Sequence, residues 1–274
     1  MKTLFRALAL LPLPVLHAIG AALGWITFLA SGTYRRRFLD NVRQAGYTLA
    51  RVSPAVAQTG KLLAELPRIW FGRAVAIRWV GDELITAARE RGRGIVFLTP
   101  HLGCFEVTAQ GYAARFGPIT VLYRPARKAW LRDLVDTSRE RARLATAPTT
   151  LAGVKQMLKA LRAGEAVGLL PDQVPPHGLG VWAPFFGRPA YTMTLSARLA
   201  RQTGATLLLA WGERLPWGRG YRIHVRPWPE SLGVESETAA AQVNRQMESL
   251  VRECPQQYLW GYARYKAPAA ARAT

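Results

Sequence analysis

Cysteine is scarce in this 274-residue chain, which contains only Cys104 and Cys254. Two cysteines far apart in sequence do not build the disulfide framework of a small secreted domain, and they are too few to form a metal cluster by themselves. The composition therefore suits a reducing compartment and a fold that needs no covalent staples. We predict neither a metal site nor a cofactor.

Acidic residues are also few, because 17 Asp and Glu stand against 37 Lys and Arg and leave a net charge of +20. Such a surface attracts an anionic partner, which is nucleic acid, anionic lipid headgroups or an acidic protein. A solvated charge that follows from an Arg- and Ala-rich composition is the plainer alternative. The chain has no zinc ligand set, RNA-recognition signature or helix-turn-helix pattern, so no nucleic-acid partner is predicted.

Formal charge is missing from the segment between Arg6 and Arg35, if its one histidine is neutral. A helix of this length would reach about 40 Å, more than the ~30 Å hydrocarbon core of a bilayer. Pro12 and Pro14 are expected to break or start that helix, which leaves residues 15–30 as a marginal span.

Three interpretations of this apolar segment are open. We predict a membrane anchor or interfacial helix over residues 1–33, which either spans the bilayer or lies on it, followed by a single domain over residues 34–274. A cleaved signal peptide and a buried core helix are the alternatives. The Arg35-Arg36-Arg37 cluster favours a cytoplasmic position for the domain that follows.

Short apolar runs alternate with helix-like stretches from residue 77 onward. The runs predicted as strands are 77–80, 94–99, 119–123, 166–170, 205–210 and 221–226, and the last of them alternates as an antiparallel or edge strand does. The predicted helices are 82–91, 103–116, 128–145, 150–163, 192–203 and 237–254, with a Pro/Gly-rich loop over 171–189. This order predicts an α/β fold with a largely parallel central sheet flanked by helices. Ligands bind such sheets beyond the carboxyl ends of the strands.

The segment His101-Leu-Gly-Cys-Phe-Glu106 follows directly on the apolar run 94–99. Residues five apart on one helix point in directions about 140° apart. The two side chains therefore meet only if His101 precedes the helix and Glu106 lies in its first turns. In that arrangement Glu106 accepts the Nδ1–H of the imidazole and leaves Nε2 free as a general base. A loop histidine beside an ordinary helix-start glutamate is the alternative.

Two more polar segments follow predicted strands. Tyr123-Arg-Pro-Ala-Arg-Lys128 contains three cations, which suit a phosphate group or an acidic carrier protein. A solvated basic loop explains this segment equally well. Asp172 follows the run 166–170 in the same way.

Taken in order, these segments resemble the lipid A biosynthesis acyltransferase family of Gram-negative bacteria, the late lauroyl/myristoyl transferases within the H-x4-D/E glycerolipid acyltransferases. The resemblance covers residues 94–266 and fits the apolar N-terminus. It is carried by His101 to Glu106, Tyr123-Arg-Pro, Met157 to Glu165, Pro171-Asp-Gln173, Pro184-Phe-Phe-Gly187 and Gln257-Tyr-Leu-Trp260. Each motif alone is weak, whereas the ordered set with matching spacing is specific.

The resemblance implies transfer of a fatty acyl chain from acyl carrier protein to a hydroxyl of a lipid A precursor, with His101 as general base and Glu106 as its orienting partner. It also implies a place at the cytoplasmic face of the bacterial inner membrane. There the basic surface would recruit anionic lipid and the acidic carrier. The predicted substrate-binding residues are Arg124, Arg127, Lys128 and Asp172.

Two segments depart from the family pattern. The third block often has Asp-x-Asp-x-Gly where this chain has Asp172-Gln-Val-Pro-Pro-His-Gly178. The ending often has Trp-x-His-Arg-Arg-Phe-Lys where this chain has Trp260-Gly-Tyr-Ala-Arg-Tyr-Lys266. These differences bear on the acceptor, which is a lipid A precursor or another lipid such as a lysophospholipid or an aminolipid.

Three other interpretations use different chemistry. Cys104, three residues after His101, is a candidate nucleophile with His101 as its base, although cysteine at such a position is often a core residue. A non-catalytic lipid-binding protein and a basic nucleic-acid-binding protein are the alternatives outside enzymology.

Overall fold

A computed structural model describes residues 2–123 and 143–268. Its helices are α1 (Lys2–Leu8), α2 (Leu13–Ala30), α3 (Gly32–Gln44), α4 (Leu49–Val52), α5 (Pro54–Ala64), α6 (Leu66–Phe71), α7 (Glu83–Glu90), α8 (Phe105–Arg115), α9 (Leu151–Arg162), α10 (Leu195–Thr203) and α11 (Ser236–Glu253). Its strands are β1 (Ile77–Val80), β2 (Ile95–Leu98), β3 (Ile119–Tyr123), β4 (Leu144–Pro148), β5 (Ala166–Leu169), β6 (Gly180–Phe185), β7 (Arg188–Met193), β8 (Thr206–Arg214) and β9 (Tyr221–Pro227). Short 3₁₀ turns lie at Pro216–Gly218 and Pro255–Gln257.

The central sheet of the described residues has the strand order β1-β9-β8-β2-β5-β3-β4. From β8 to β4 neighbouring strands are parallel, β9 is antiparallel to β8, and β1 is parallel to β9. The predicted α/β fold with a largely parallel sheet is therefore confirmed. The carboxyl ends of β2, β3, β5 and β8 all lie at one edge of the sheet.

Both faces of the sheet are covered, which explains why its central strands are continuous apolar runs. Along β2, Val96 and Leu98 belong to the core under α9, α10 and α11, whereas Ile95 and Phe97 belong to the core under α7 and α8. All four side chains are buried. A strand between two helical layers cannot show the polar alternation of a half-exposed strand.

Two predictions of local structure need correction. Residues 171–189, predicted as a loop, contain β6 and the start of β7, which form a separate antiparallel hairpin. Pro184 and Pro189 lie opposite each other in this hairpin, where each strand has an open edge and a proline need not donate a hydrogen bond. The predicted helix 128–145 lies outside the described residues except at its end, where residues 144 and 145 belong to β4.

A buried ion cluster joins α2 to the sheet. Glu65, between α5 and α6, accepts hydrogen bonds from Arg214 Nε at 2.8 Å and Nη2 at 2.5 Å, and from the Tyr221 hydroxyl at 2.8 Å. His17 Nε2 of α2 lies 2.9 Å from the same carboxylate. Burial alone would raise the pKa of Glu65, but Arg214 and His17 outweigh it and lower the pKa from 4.5 to about 2. Glu65 therefore remains a carboxylate in the folded protein.

Replacing Glu65 with Gln is expected to lower the free energy of unfolding by about 3–5 kcal/mol, because the buried guanidinium of Arg214 loses its counter-charge. Because the folded pKa is depressed, this stabilisation is present above pH 4.5 and is lost as the pH falls towards 2. Urea unfolding followed by circular dichroism at several pH values measures both effects.

The matched control is Glu230→Gln, which removes a similar carboxylate from an exposed ion pair with Arg245. Exposed pairs contribute about 0–1 kcal/mol, so this variant is expected to unfold almost like the parent. Equal losses for the two variants would contradict the importance of the buried cluster.

Candidate active site

Two neighbouring strands position the central pair of the site, His101 and Asp172. β2 and β5 are parallel and in register at Leu98 and Leu169, so the loops that follow them leave the sheet side by side. His101 and Asp172 lie in these loops. The Nδ1 of His101 is 2.7 Å from Asp172 Oδ1, and the backbone N–H of His101 donates to Asp172 Oδ2 at 2.8 Å. Both carboxylate oxygens thus hold the same histidine.

The electrostatics of this pair keep Asp172 ionised. Asp172 is buried, with 2% of its surface exposed. Burial acts to raise the pKa of Asp172, but the charge and hydrogen bonds of His101 outweigh it and keep this pKa below its ordinary value. The carboxylate therefore accepts the Nδ1 proton. The amide nitrogen of Gln173, which can only donate, lies 2.9 Å from Nε2, so it faces the lone pair that Nε2 carries when the imidazole is neutral.

The backbone after His101 is fixed by the C-terminal segment and by β8. Leu259 N–H donates to the His101 carbonyl, and Gly103 N–H donates to the Gln257 carbonyl at 3.0 Å. Gly103 has φ 59°, and a Cβ there would overlap the carbonyl of Gly212, so glycine is required. The N–H of Gly103 is therefore already paired within the protein.

Glu106 lies in the first turn of α8, as predicted, but it does not receive the Nδ1 proton. That hydrogen bond goes to Asp172. The prediction that Glu106 orients His101 through Nδ1 is therefore wrong. The Oε2 of Glu106 instead accepts a hydrogen bond from the indole Nε1 of Trp70, in α6, at 3.1 Å. The physical reason is that the parallel β2–β5 pair brings the Asp172 loop directly behind the imidazole.

The other predicted substrate-binding residues fall into two groups. Asp172 is buried behind His101, a position that suits an orienting carboxylate better than a direct substrate contact. Arg124, Arg127 and Lys128 lie outside the described residues. They follow β3, which neighbours β5, so the chain leaves the sheet at the edge where the site lies.

Cys104 does not have the environment of a nucleophile. The thiol is buried, and burial raises its pKa well above the ordinary value. A reactive cysteine needs an accessible thiolate. Cys104 packs with the core under α7 and α8, as a core residue does.

An apolar cavity lies between the sheet and α8, one side chain away from the imidazole. Its volume is about 480 Å³, counted with the space open to solvent at its mouth. Phe105 lines it and also contacts the His101 ring, with 4.9 Å between the ring centroids. Thr99 and Leu170, which precede the His101 and Asp172 loops, line it as well. An apolar pocket of this size beside a base can hold a small organic chain.

Sequence analysis missed two contacts of the site. Gln173 was noted only as part of a motif, although it faces the lone pair of the base. Trp70, which donates to Glu106, comes from a helix more than 30 residues earlier in the chain. The contact of Gln173 with His101 could have been predicted if β2 and β5 had been known to be neighbours. No local sequence pattern indicates the contact of Trp70 with Glu106.

The sequence as a whole was compared with known proteins. The sequence model of the family described as bacterial lipid A biosynthesis acyltransferase matches residues 2–267. The chain is 30% identical to the lipid A biosynthesis lauroyltransferase of Escherichia coli K12 over 93% of this chain and 87% of that protein. It is 27% identical to the lipid A biosynthesis palmitoleoyltransferase of the same organism over 93% and 86%. A lipid A biosynthesis acyltransferase of Haemophilus influenzae is 27% identical over 96% and 88%.

Proposed function

The chain belongs to the bacterial lipid A biosynthesis acyltransferase family, and from this premise we propose that it transfers a fatty acyl chain from the thioester of an acyl carrier protein to a hydroxyl of a lipid A precursor. The observation that carries the proposal is the His101–Asp172 pair next to the apolar cavity, which Phe105 joins to the imidazole. The reaction takes place at the cytoplasmic face of the inner membrane. The net charge of +20 favours both an acidic carrier and anionic lipid.

His101 is the general base of the proposed reaction. The acceptor hydroxyl gives its proton to Nε2 as its oxygen attacks the thioester carbonyl, and Asp172 stabilises the imidazolium that forms. The tetrahedral intermediate then collapses, the carbon–sulfur bond breaks, and the carrier thiolate takes the proton from the imidazolium. The products are an ester and a free thiol, so the step balances without a further reactant.

Gln173 occupies the position that the acceptor hydroxyl needs. Its amide donates to Nε2 at 2.9 Å, as the hydroxyl would. In the proposed cycle the acceptor displaces this amide and takes over its hydrogen bond. The resting enzyme thereby keeps its base in the reactive tautomer before substrate arrives.

Mass spectrometry of products tests the proposed function. Purified protein is incubated with a lauroyl or myristoyl thioester of acyl carrier protein, or of coenzyme A, and with a lipid A precursor. The expected result is an acylated precursor, formed faster from the carrier protein. Acylation of a lysophospholipid or an aminolipid, with none of the precursor, would contradict the proposed acceptor. Faster transfer from coenzyme A would contradict the proposed donor.

The cavity is expected to determine which acyl chains are used. Ala109 of α8 lines it and faces the sheet. Replacing Ala109 with Phe fills part of the cavity, and each methylene that loses its place costs about 1–3 kcal/mol. We expect the ratio of kcat/KM for tetradecanoyl over decanoyl donors to fall by about tenfold or more.

The matched control is Ala114→Phe, which adds the same ring to an exposed position of α8. It should leave the chain-length preference of the parent intact. An unchanged preference in the folded Ala109→Phe variant would show that the acyl chain lies elsewhere.

A further inference from the structure

α2 is the one helix in the described part of the chain that is long and apolar enough to cross a bilayer. One face of α2 is nevertheless buried against the protein. The buried residues of this inner face are Leu13, Leu16, His17, Gly20, Gly24 and Phe28. Their spacing of three and four residues forms one stripe along the whole helix.

Glycines hold α2 against α5 at backbone distance. A Cβ on Gly60 would overlap the carbonyl of Gly20, and a Cβ on Gly24 would overlap the carbonyl of Val56. The contact extends over more than one turn in the middle of α2. A helix packed so closely cannot move into a bilayer without carrying α5 with it.

The polar contact of α2 also points into the protein. His17 is buried and lies 2.9 Å from Glu65, whose partners Arg214 and Tyr221 belong to the central sheet. If α2 crossed the membrane, this ion cluster would be broken or drawn into hydrocarbon. In the first case Glu65 loses one of its hydrogen-bond partners, and in the second an ion pair enters hydrocarbon, so both outcomes cost free energy. The fold therefore holds α2 as a part of its surface.

The outer face of α2 is apolar and exposed. Its residues are Val15, Ile19, Leu23, Ile26 and Leu29, with 43–66% of each surface exposed. Beside the N-terminal end of this face stands Trp217, which is 85% exposed. The neighbouring Gly218 packs so closely on Pro14 that a Cβ there would lie 2.6 Å from the proline ring. Trp217 has φ 60°, a strained conformation for a large residue.

Basic residues flank the outer face at both ends. Arg36 and Arg37 are exposed in the first turns of α3, just after α2 ends, and Arg219 is exposed beside Trp217. Arg35 donates to the last carbonyls of α2, at 2.8 Å to Leu29. An apolar stripe with an aromatic residue and cations at its edges matches the interface of an anionic bilayer.

We propose that α2 does not span the membrane but lies flat on the cytoplasmic leaflet, with its outer face and Trp217 inserted among anionic phospholipids and its inner face retained in the fold. The proposal rests on the proposed function, because a lipid acceptor requires an enzyme that works at a bilayer surface. It places both ends of α2 on the same side of the membrane.

Topology is tested in the full chain with single cysteines at Thr3 and Thr33, which are exposed on either side of α2. Native Cys104 and Cys254 are buried. Bacterial cells with a permeabilised outer membrane are treated with a membrane-impermeant maleimide, before and after the inner membrane is opened. We expect neither cysteine to be labelled before opening and both to be labelled after it. Labelling of the Thr3→Cys variant in unopened cells would overturn the proposal.

Lipid binding is tested with vesicles made of equal parts of phosphatidylethanolamine and phosphatidylglycerol. The outer-face variant Leu23→Glu/Ile26→Glu should cosediment at least about tenfold less well than the parent, since two inserted side chains become charged. Its matched control, Leu151→Glu/Val234→Glu, changes two apolar residues elsewhere that are even more exposed and should bind like the parent. Equal binding by both variants would overturn the proposal.

A detergent assay separates this proposal from the proposed function. With a detergent-dispersed acceptor, the outer-face variant should transfer acyl chains at the parental rate, and with a vesicle-embedded acceptor it should be slowed about tenfold. Absence of transfer by the parent in detergent would refute the proposed function while the labelling result stands.

Conversion of a dimer to a monomer by Leu23→Glu/Ile26→Glu, with vesicle binding unchanged, would show that a second copy covers this face and would overturn the proposal.

Discussion

Replacing His101 with Asn is expected to lower kcat for acyl transfer by about 10²–10⁴-fold, the usual contribution of a general base. The Asn amide can still donate towards Asp172 from the position of Nδ1, so the loop keeps its main support. It has no atom at the position of Nε2, and the acceptor hydroxyl loses its proton acceptor. Single-turnover rates with a saturating carrier thioester measure the chemical step directly.

The KM for the acyl donor should change little in this variant, because the apolar cavity is untouched. Cys104→Ser is the companion variant and should retain the parental rate, since a buried thiol with a raised pKa takes no part. A folded His101→Asn variant with near-parental kcat would refute general-base catalysis by this residue. Loss of activity in Cys104→Ser, without loss of fold, would revive a covalent intermediate.

Six of the seven strands of the central sheet were predictable, because buried strands appear in the sequence as short apolar runs between helices, whereas β4 was not predicted. The predicted runs 94–99 and 119–123 became β2 and β3 almost without change. The order of strands across the sheet was not predictable, since it depends on crossovers and not on local composition. The β6–β7 hairpin was missed because its prolines, tolerated at open edges, imitate a loop.

The site shows the same division between local and distant information. The position of His101 after a buried strand placed it at the correct edge of the sheet. The H-x4-E spacing then suggested Glu106 as its partner, because that residue is near in sequence. Asp172 makes the contact with His101 because β5 lies beside β2 in the sheet. No local sequence pattern shows which strands are neighbours.

In the N-terminal segment, composition indicates the length of the helix but not what the helix packs against. Its lack of charge identifies a helix of membrane-spanning length, and the structure confirms the helix. The division into an anchor over residues 1–33 and a domain over 34–274 stays a prediction. Gly20, Gly24 and Gly60 were the available signal, because small residues four apart permit close helix packing. That signal is interpretable only when the partner helix is known.

Replacing Asp172 with Asn is expected to lower kcat by about 10²–10⁴-fold, through the tautomer of His101. Both oxygens of Asp172 accept hydrogen bonds, from Nδ1 and from the backbone N–H of His101. An amide has one acceptor and one donor, so one contact becomes unfavourable. If the amide nitrogen faces Nδ1, the imidazole proton moves to Nε2 and the base has no lone pair for the acceptor hydroxyl.

The nitrogen-15 chemical shifts of His101 distinguish this positioning effect from a general loss of structure. Asp172→Asn should convert a large fraction of the imidazole to the Nε2–H tautomer. Glu106→Gln should leave the tautomer as in the parent whatever its effect on turnover, because its described contact is with Trp70. If Glu106→Gln shifted the tautomer and Asp172→Asn did not, the sequence-based pairing would be correct after all. A rate loss in Asp172→Asn with an unchanged tautomer would instead place the contribution of Asp172 in stabilising the imidazolium charge.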